Sequence, residues 1–221
     1  MSINIAIDGP AGAGKSTIAR AVAAELGFIY VDTGALYRTV ALHAKRQGAE
    51  TPEQIAACLN TADISLCFAE GTQHVLLCGE DVSGLIRTPE ISMAASVVSA
   101  LPAVRQYLFD LQLDMAKQNN VIMDGRDIGT VVLPHADLKI FLTASPQERA
   151  RRRYLELSEK PDCPSMEEIL EDIIKRDEAD RNRVVSPLRK AEDAVLVDTT
   201  KMDQQQVIRH LLELCRERLG L

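Results

Sequence analysis

The segment Gly9-Pro10-Ala11-Gly12-Ala13-Gly14-Lys15-Ser16 constrains this chain more than any other. It satisfies G-x-x-x-x-G-K-[ST] in full, a pattern that average residue usage produces by chance in roughly one per cent of such chains. It lies between an apolar run at residues 3–7 and a stretch, 16–26, whose apolar positions recur at helical spacing. Glycines at 9, 12 and 14 let the backbone curl until successive N–H groups converge on phosphate oxygens, and the following helix adds the positive end of its dipole. Lys15 then reaches the β- and γ-phosphates of a nucleotide, and Ser16 offers its hydroxyl to Mg²⁺. Thr17 stands where G-x-G-x-x-G needs its last glycine, so a dinucleotide-binding turn is excluded.

Beyond this loop, strands and helices alternate. Residues 28–31 form a second apolar run leading into Asp32-Thr33-Gly34, and a helical pattern follows over 35–47 with Gly48 as its stop. Runs at 121–123, 138–142 and 194–197 add three strands, the first of them ending in Asp124-Gly125, and a helix over 203–219 closes the chain. This order predicts an α/β fold of the P-loop NTPase type, a five-stranded parallel sheet with helices on both faces. Residues 64–88 break the rhythm. There, Ile64-Ser65-Leu66-Cys67-Phe68 and Val75-Leu76-Leu77-Cys78 flank a turn at Glu70-Gly71-Thr72-Gln73 and predict an antiparallel hairpin inserted beside an acceptor site. Pro161 and Pro164 punctuate two charged helical segments, 147–160 and 166–183, which predict a mobile lid.

A chain of 221 residues suits one such domain with an insertion, and 46% hydrophobic with 26% charged residues excludes disordered or membrane-dominated classes. A net charge of −7 argues against a nucleic-acid polymer or an anionic membrane as partner, so any bound anion needs a local basic site. Cys58, Cys67, Cys78, Cys163 and Cys215 form no C-x-x-C pair, and no secretory signal or membrane span stands out. Reduced thiols and a cytoplasmic location are expected, and with no heptad seam a monomer.

Arg38, on the helix after Thr33-Gly34, and Arg126, just past a strand end, can both meet a phosphate at the carboxyl edge of a parallel sheet. Arg176, Asp180 and Arg183 fall at i, i+4 and i+7, so one helical face can clamp a phosphate while Asp180 takes a ribose hydroxyl. The same residues also fit an ion-pair ladder, Arg176 with Asp180 and Asp177 with Arg181. Arg149, Arg152 and Arg153 are candidates to close over a transferring phosphoryl group, and fit a solvated basic face equally. His43, His74, His135 and His210 are scattered and assemble no general base.

The chain resembles the nucleoside monophosphate kinases, and among them closely the bacterial cytidylate kinases. The likeness rests on residues 9–17, Asp32-Thr33-Gly34-Ala35-Leu36-Tyr37-Arg38, Gly79-Glu80-Asp81-Val82-Ser83, Ile86-Arg87-Thr88, Asp124-Gly125-Arg126-Asp127-Ile128-Gly129-Thr130-Val131-Val132 and Arg176-Asp177-Glu178-Ala179-Asp180-Arg181-Asn182-Arg183. The hairpin matches an insertion of the family's acceptor-binding domain that adenylate kinases lack, and the resemblance implies a core of about 1–34, 117–145 and 184–221, an acceptor-binding region of about 35–116 and a lid of about 146–183. The resemblance implies transfer of a phosphoryl group from ATP, with Mg²⁺, to CMP and dCMP in pyrimidine metabolism. It implies ATP at Gly9, Pro10, Ala11, Gly12, Ala13, Gly14, Lys15, Ser16 and Thr17. It implies CMP at Thr33, Tyr37, Arg38, Ser96, Arg105, Arg126, Asp127, Arg176, Asp180 and Arg183. Catalysis then falls to Lys15, Arg126, Arg176 and Arg183, and the metal to Ser16 and, through water, to Asp124. Ser96, Arg105 and Asp127 correspond to the cytosine-reading positions: a carboxylate accepts from cytosine's exocyclic amine and repels uracil's carbonyl. Competing readings are a P-loop kinase of UMP, AMP or a shikimate-like acceptor, and a nucleotide-binding switch without turnover.

Overall fold

The computed structural model describes residues 2–69, 72–159 and 163–221. The chain runs through β1 (Asn4–Asp8), α1 (Lys15–Leu26), β2 (Ile29–Asp32), α2 (Thr33–Arg46) and α3 (Pro52–Cys58). It continues through β3 (Ile64–Ala69), β4 (Thr72–Leu77), β5 (Glu80–Asp81), α4 (Pro89–Val98) and α5 (Pro102–Gln118). Then come β6 (Val121–Gly125), one π-helical turn at Ile128–Val132, β7 (Leu138–Thr143), α6 (Pro146–Leu157), α7 (Met166–Arg181), β8 (Val195–Asp198) and α8 (Gln204–Leu219).

Five strands form a parallel sheet in the order β2-β6-β1-β7-β8, as the alternating runs predicted. Each strand's side chains alternate between the two faces. Ile5, Ile7, Ile122 and Ile140 pack with Ile18 and Val22 of α1 and Val207 and Leu211 of α8. Ala6, Val31, Val121 and Met123 face the other way, against Ala116 of α5 and Ile128 and Val132 of the π turn. Both faces are thus covered, which is why these strands read as apolar runs. The register pairs Asp8 with Gly125 and Asp32 with Asp124, so the loops after β1, β2 and β6 leave one sheet edge side by side.

The inserted hairpin is present and carries a third strand that the sequence reading lacked. Cys78 (φ 51°) and Gly79 (φ 81°) both take positive φ, and the chain reverses so that Glu80 and Asp81 pair with Leu77 and Leu76. Two such residues between paired strands make a type I′ turn, which matches the right-handed strand twist. The turn expected at 70–73 begins outside the described residues, while Thr72 and Gln73 are already in the ladder opposite Ala69 and Phe68. This sheet packs with α2, α4 and α5 around Leu36, Val40, Val75, Val82, Ile86 and Leu108. A small separate cluster, Ala150, Ile169 and Ile173, joins α6 to α7. Both helices end earlier than expected, at Leu157 and Arg181 rather than residues 160 and 183.

Candidate active site

The loop after β1 owes its path to glycine. Gly9 has φ 152°, and a Cβ there would fall 1.9 Å from the Leu142 carbonyl oxygen, so no other residue fits. Gly14, at φ 86°, caps α1 and turns the chain into it. The Lys15 side chain lies buried along the loop and its Nζ donates to the Pro10 carbonyl at 2.8 Å. Burial and then the nearby Arg126 pull its pKa down, against Asp124, which pulls it up.

Asp124, at the end of β6, is buried between these loops. It accepts from Ser16 Oγ at 2.7 Å and from the Tyr30 hydroxyl at 3.0 Å, while its backbone carbonyl accepts from Thr33 Oγ1 at 2.7 Å. Burial and the neighbouring Asp32 push its pKa up. Among the described residues no group of three or more His, Cys, Asp or Glu forms a metal cage. The Ser16 hydroxyl and Asp124 carboxylate nonetheless supply adjacent hard oxygens, which fit a Mg²⁺ that keeps water and shares substrate phosphates.

Asp32 caps α2 by accepting from the Ala35 N–H at 2.9 Å, which starts that helix at Thr33 rather than at Ala35. Its other oxygen takes Arg38 Nη2 at 2.9 Å. Gly34 makes room for this fold-back, since a Cβ there would sit 3.2 Å from both Arg38 Nη1 and Asp32 Oδ1. Arg38 Nε is buried with no acceptor among the described residues, so one donor remains for an anion.

The rest of the site is built from ion pairs. Arg105 binds Asp127 and donates to the Ser99 carbonyl at 3.2 Å, with its guanidinium carbon 5.7 Å from the Tyr37 ring centroid. Burial pushes the Asp127 pKa up while Arg105 opposes the shift, and burial raises the Tyr37 phenol to about 12. Arg126 Nε donates to Asp180 at 2.8 Å, and Arg183 binds the other oxygen of the same carboxylate. Although burial works against it, Arg126 and Arg183 hold the Asp180 pKa low. Arg176 is an exposed residue and makes no ion pair with any described residue; partial desolvation followed by repulsion from Arg126 lowers its pKa.

One cleft of about 360 Å³ gathers most of these groups. Ala11, Gly12, Gly14, Lys15, Ser16, Thr17 and Asp124 line one part; Thr33, Tyr37, Arg38, Ser96, Arg105, Arg126, Asp127, Arg176 and Arg183 line the rest. Gly9, Pro10 and Ala13 are not on its wall. Asp180 departs from expectation: it is 2% exposed and both its oxygens are taken by Arg126 and Arg183, so it braces the arginines instead of facing a ribose. Arg183 lies beyond the end of α7, so the three-residue helical face does not exist as drawn. The ladder alternative fails too, because Asp177 pairs with Arg149.

The three lid arginines part company. Arg149 is 2% exposed and runs beneath the phosphate loop, bonding the Ala11 and Ala144 carbonyls at 2.9 Å each and Asp177 through two nitrogens. It is a brace, not a residue poised to close. Arg152 reaches the cleft while bonding Glu148 and Thr199, and Arg153 is exposed beside Glu156. Sequence reasoning missed Asp32, Tyr30 and Asp177. The signal for Asp32 was its place between a strand and a helix, where an acidic cap belongs; Asp177 carried none.

A phosphate-binding loop and an arginine-lined acceptor wall, facing one cleft at the carboxyl edge of a parallel sheet, define a P-loop phosphotransferase. The cytidylate kinase family profile matches residues 5–217. The chain is 50% identical to the cytidylate kinase of Caldicellulosiruptor bescii over 96% of this chain and 95% of that protein. It is 51% identical to that of Carboxydothermus hydrogenoformans over 96% of each. It therefore belongs to the cytidylate kinase family. Among solved structures, an uncharacterized protein from Eubacterium ventriosum shares the fold at TM-score 0.56 and 13% identity, over 98% of this chain and all (100%) of that one. No described helix is long and apolar enough to cross a membrane.

Proposed function

We propose that this chain transfers the γ-phosphoryl group of ATP to CMP, giving ADP and CDP, with dCMP as a second acceptor. One observation carries the reading. The same cleft holds Lys15 and Ser16 together with the Arg105–Asp127 pair and with Arg38, Arg126, Arg176 and Arg183. The loop over residues 9–17 takes the ATP phosphates on its backbone N–H groups and on Lys15. Arg38, Arg126, Arg176 and Arg183 hold the acceptor phosphate, and Arg38 Nε and Arg176 have donors to spare for it. An oxygen of that phosphate attacks the γ-phosphorus as the bond to ADP breaks. The acceptor's second pKa is about 6, so it arrives ionised and no general base is required. Mg²⁺, held by Ser16 and by Asp124 through water, would neutralise the β- and γ-oxygens. Lys15 and the arginines align the two phosphates and offset the charge that spreads over the transferring group.

Asp127 reads the exocyclic amine of cytosine, Arg105 the ring's acceptor atoms, and Ser96 completes the set. Uracil would set a carbonyl oxygen against the Asp127 carboxylate where cytosine offers a donor, which makes such discrimination steep. Residues 35–116 act as the acceptor-binding region and 146–183 as the lid of a monomeric, cytoplasmic enzyme. Turnover of the pure protein with MgATP and CMP, dCMP, UMP or AMP tests this. CMP and dCMP should turn over fast and UMP slowly; fast AMP turnover with CMP inert would remove the assignment.

A further inference from the structure

Asp8 lies outside the cleft wall, and its carboxylate is held by backbone N–H groups of a distant segment. It is the last residue of β1, immediately before Gly9, and is buried at 4% exposure. Its Oδ1 accepts the Ile128 N–H at 2.8 Å and its Oδ2 the Gly129 N–H at 2.7 Å. These N–H groups open the π turn Ile128–Val132, where a helical turn has no partners of its own to offer. At the other end of that turn, the Val131 and Val132 N–H groups return to the Asp127 carbonyl at 2.9 and 3.3 Å. The turn thus grips the Asp127 backbone, and Asp8 grips the turn. Main-chain pairing between β1 and β6 runs out at Asp8 and Gly125, and past that point the Asp8 carboxylate ties the end of β1 to the turn that follows β6. Gly129 keeps the approach open: a Cβ there would lie 3.4 Å from Asp8 Oδ2 and 3.2 Å from Lys139 Cδ.

We infer that Asp8 is a positioning residue, which sets the base-reading carboxylate of Asp127 at a fixed place relative to the phosphate loop. The inference rests on the assignment of Asp127 to cytosine. Burial pushes the Asp8 pKa up to about 6, with the two N–H bonds working against the shift. An ionised carboxylate kept in so dry a place at neutral pH costs stability, as residues retained for function commonly do.

Asp8→Asn keeps the shape but turns an amide NH₂ toward one of the two N–H donors. It should lower the CMP/UMP ratio of kcat/KM by about tenfold to a hundredfold, the scale of one hydrogen bond to a charged group, through a higher KM for CMP. KM for ATP should stay within about twofold, since the loop's own contacts persist. Gly129→Ala, which disturbs the same joint from the opposite side, should shift the ratio in the same direction by less. Asp127→Asn is run beside them, and the Asp8→Asn, Asp127→Asn double variant should be no less selective than Asp127→Asn alone. If Asp127→Asn collapses the ratio while Asp8→Asn lowers only the melting temperature, Asp8 is merely structural and the inference fails. If neither moves the ratio, the assignment of Asp127 fails and takes the inference with it. Should Asp8→Asn not fold, an unchanged ratio in Gly129→Ala overturns the inference by itself.

Discussion

Replacing Arg149 with methionine separates a brace from a catalytic lid residue. Methionine keeps much of the aliphatic stem in a space where Arg149 is 2% exposed, but supplies no donor. Asp177, bonded by Arg149 Nη1 at 3.0 Å and Nη2 at 2.6 Å, would be left as a buried carboxylate without its cation. Breaking a buried pair in this way costs about 3–5 kcal/mol, because the stranded charge keeps its desolvation penalty. For a chain of this size each kcal/mol lowers the melting temperature by about 2–4 °C, so a fall of about 6–20 °C is expected. The double variant Arg149→Met, Asp177→Leu removes both charges and should recover most of that loss, short of the bonds to the Ala11 and Ala144 carbonyls. Thermal melts followed by far-UV circular dichroism give the three midpoints, and kcat is then measured well below the lowest of them. With the phosphate loop loosened at Ala11, KM for ATP should rise while kcat stays within about tenfold. A single variant that melts like the wild type yet loses turnover by a factor of about a thousand would refute this, and would return Arg149 to the transferring phosphoryl group.

Lys15→Ala should abolish transfer and leave the melting temperature unchanged or slightly raised, since the side chain's one bond within the described residues is to the Pro10 carbonyl and its burial is costly. Near-normal turnover in that variant would count against the loop's assignment. Asp8 also predicts a pH dependence of stability. Its folded pKa, about 6, lies above the ordinary 3.8, so its contribution is fully present below about pH 3.8 and is lost as pH rises through 6. The shift corresponds to about 3 kcal/mol. Urea unfolding of wild type and Asp8→Asn should therefore show the wild type losing ground to the variant by about that amount between pH 4 and 7. A difference that is flat across this range would show that Asp8 carries no such strain.

What could be read in advance followed from whether a residue's partner is near in sequence. Strands β1, β2, β6 and β7 are buried on both faces and so stand out as apolar runs, the edge strand β8 being apolar with Leu196 left exposed, and Gly9-Pro10-Ala11-Gly12-Ala13-Gly14-Lys15-Ser16 is a local motif whose geometry needs little else. Helix α4 is different: Pro89–Val98 is apolar almost throughout, so no stripe marks the face that buries Ile91, Ala95 and Val98 and leaves Met93 and Val97 exposed. The type I′ turn at Cys78-Gly79 hid because a cysteine occupies a place where asparagine or glycine is usual.

The arginines show the limit most sharply. Arg149, Arg151, Arg152 and Arg153 are nearly consecutive, and nothing in that run says that one lies buried under the phosphate loop while Arg151 and Arg153 point to solvent. Their fates depend on partners far along the chain, Asp177 for Arg149 and Thr199 for Arg152. Once those partners are known, saturation becomes a usable criterion. An arginine whose donors are spent on carbonyls and a buried carboxylate, as in Arg149, has few to offer a ligand, and its removal should register as lost stability. Among the described residues Arg38 has one buried nitrogen without an acceptor, and Arg176 lines the cleft without an ion pair. A buried donor left open, as Arg38 Nε is, is costly unless something anionic satisfies it, which is what a bound acceptor phosphate would do. Alanine at Arg38 or Arg176 should accordingly fall on KM for CMP or on kcat before it falls on the melting temperature, the reverse of the order expected for Arg149.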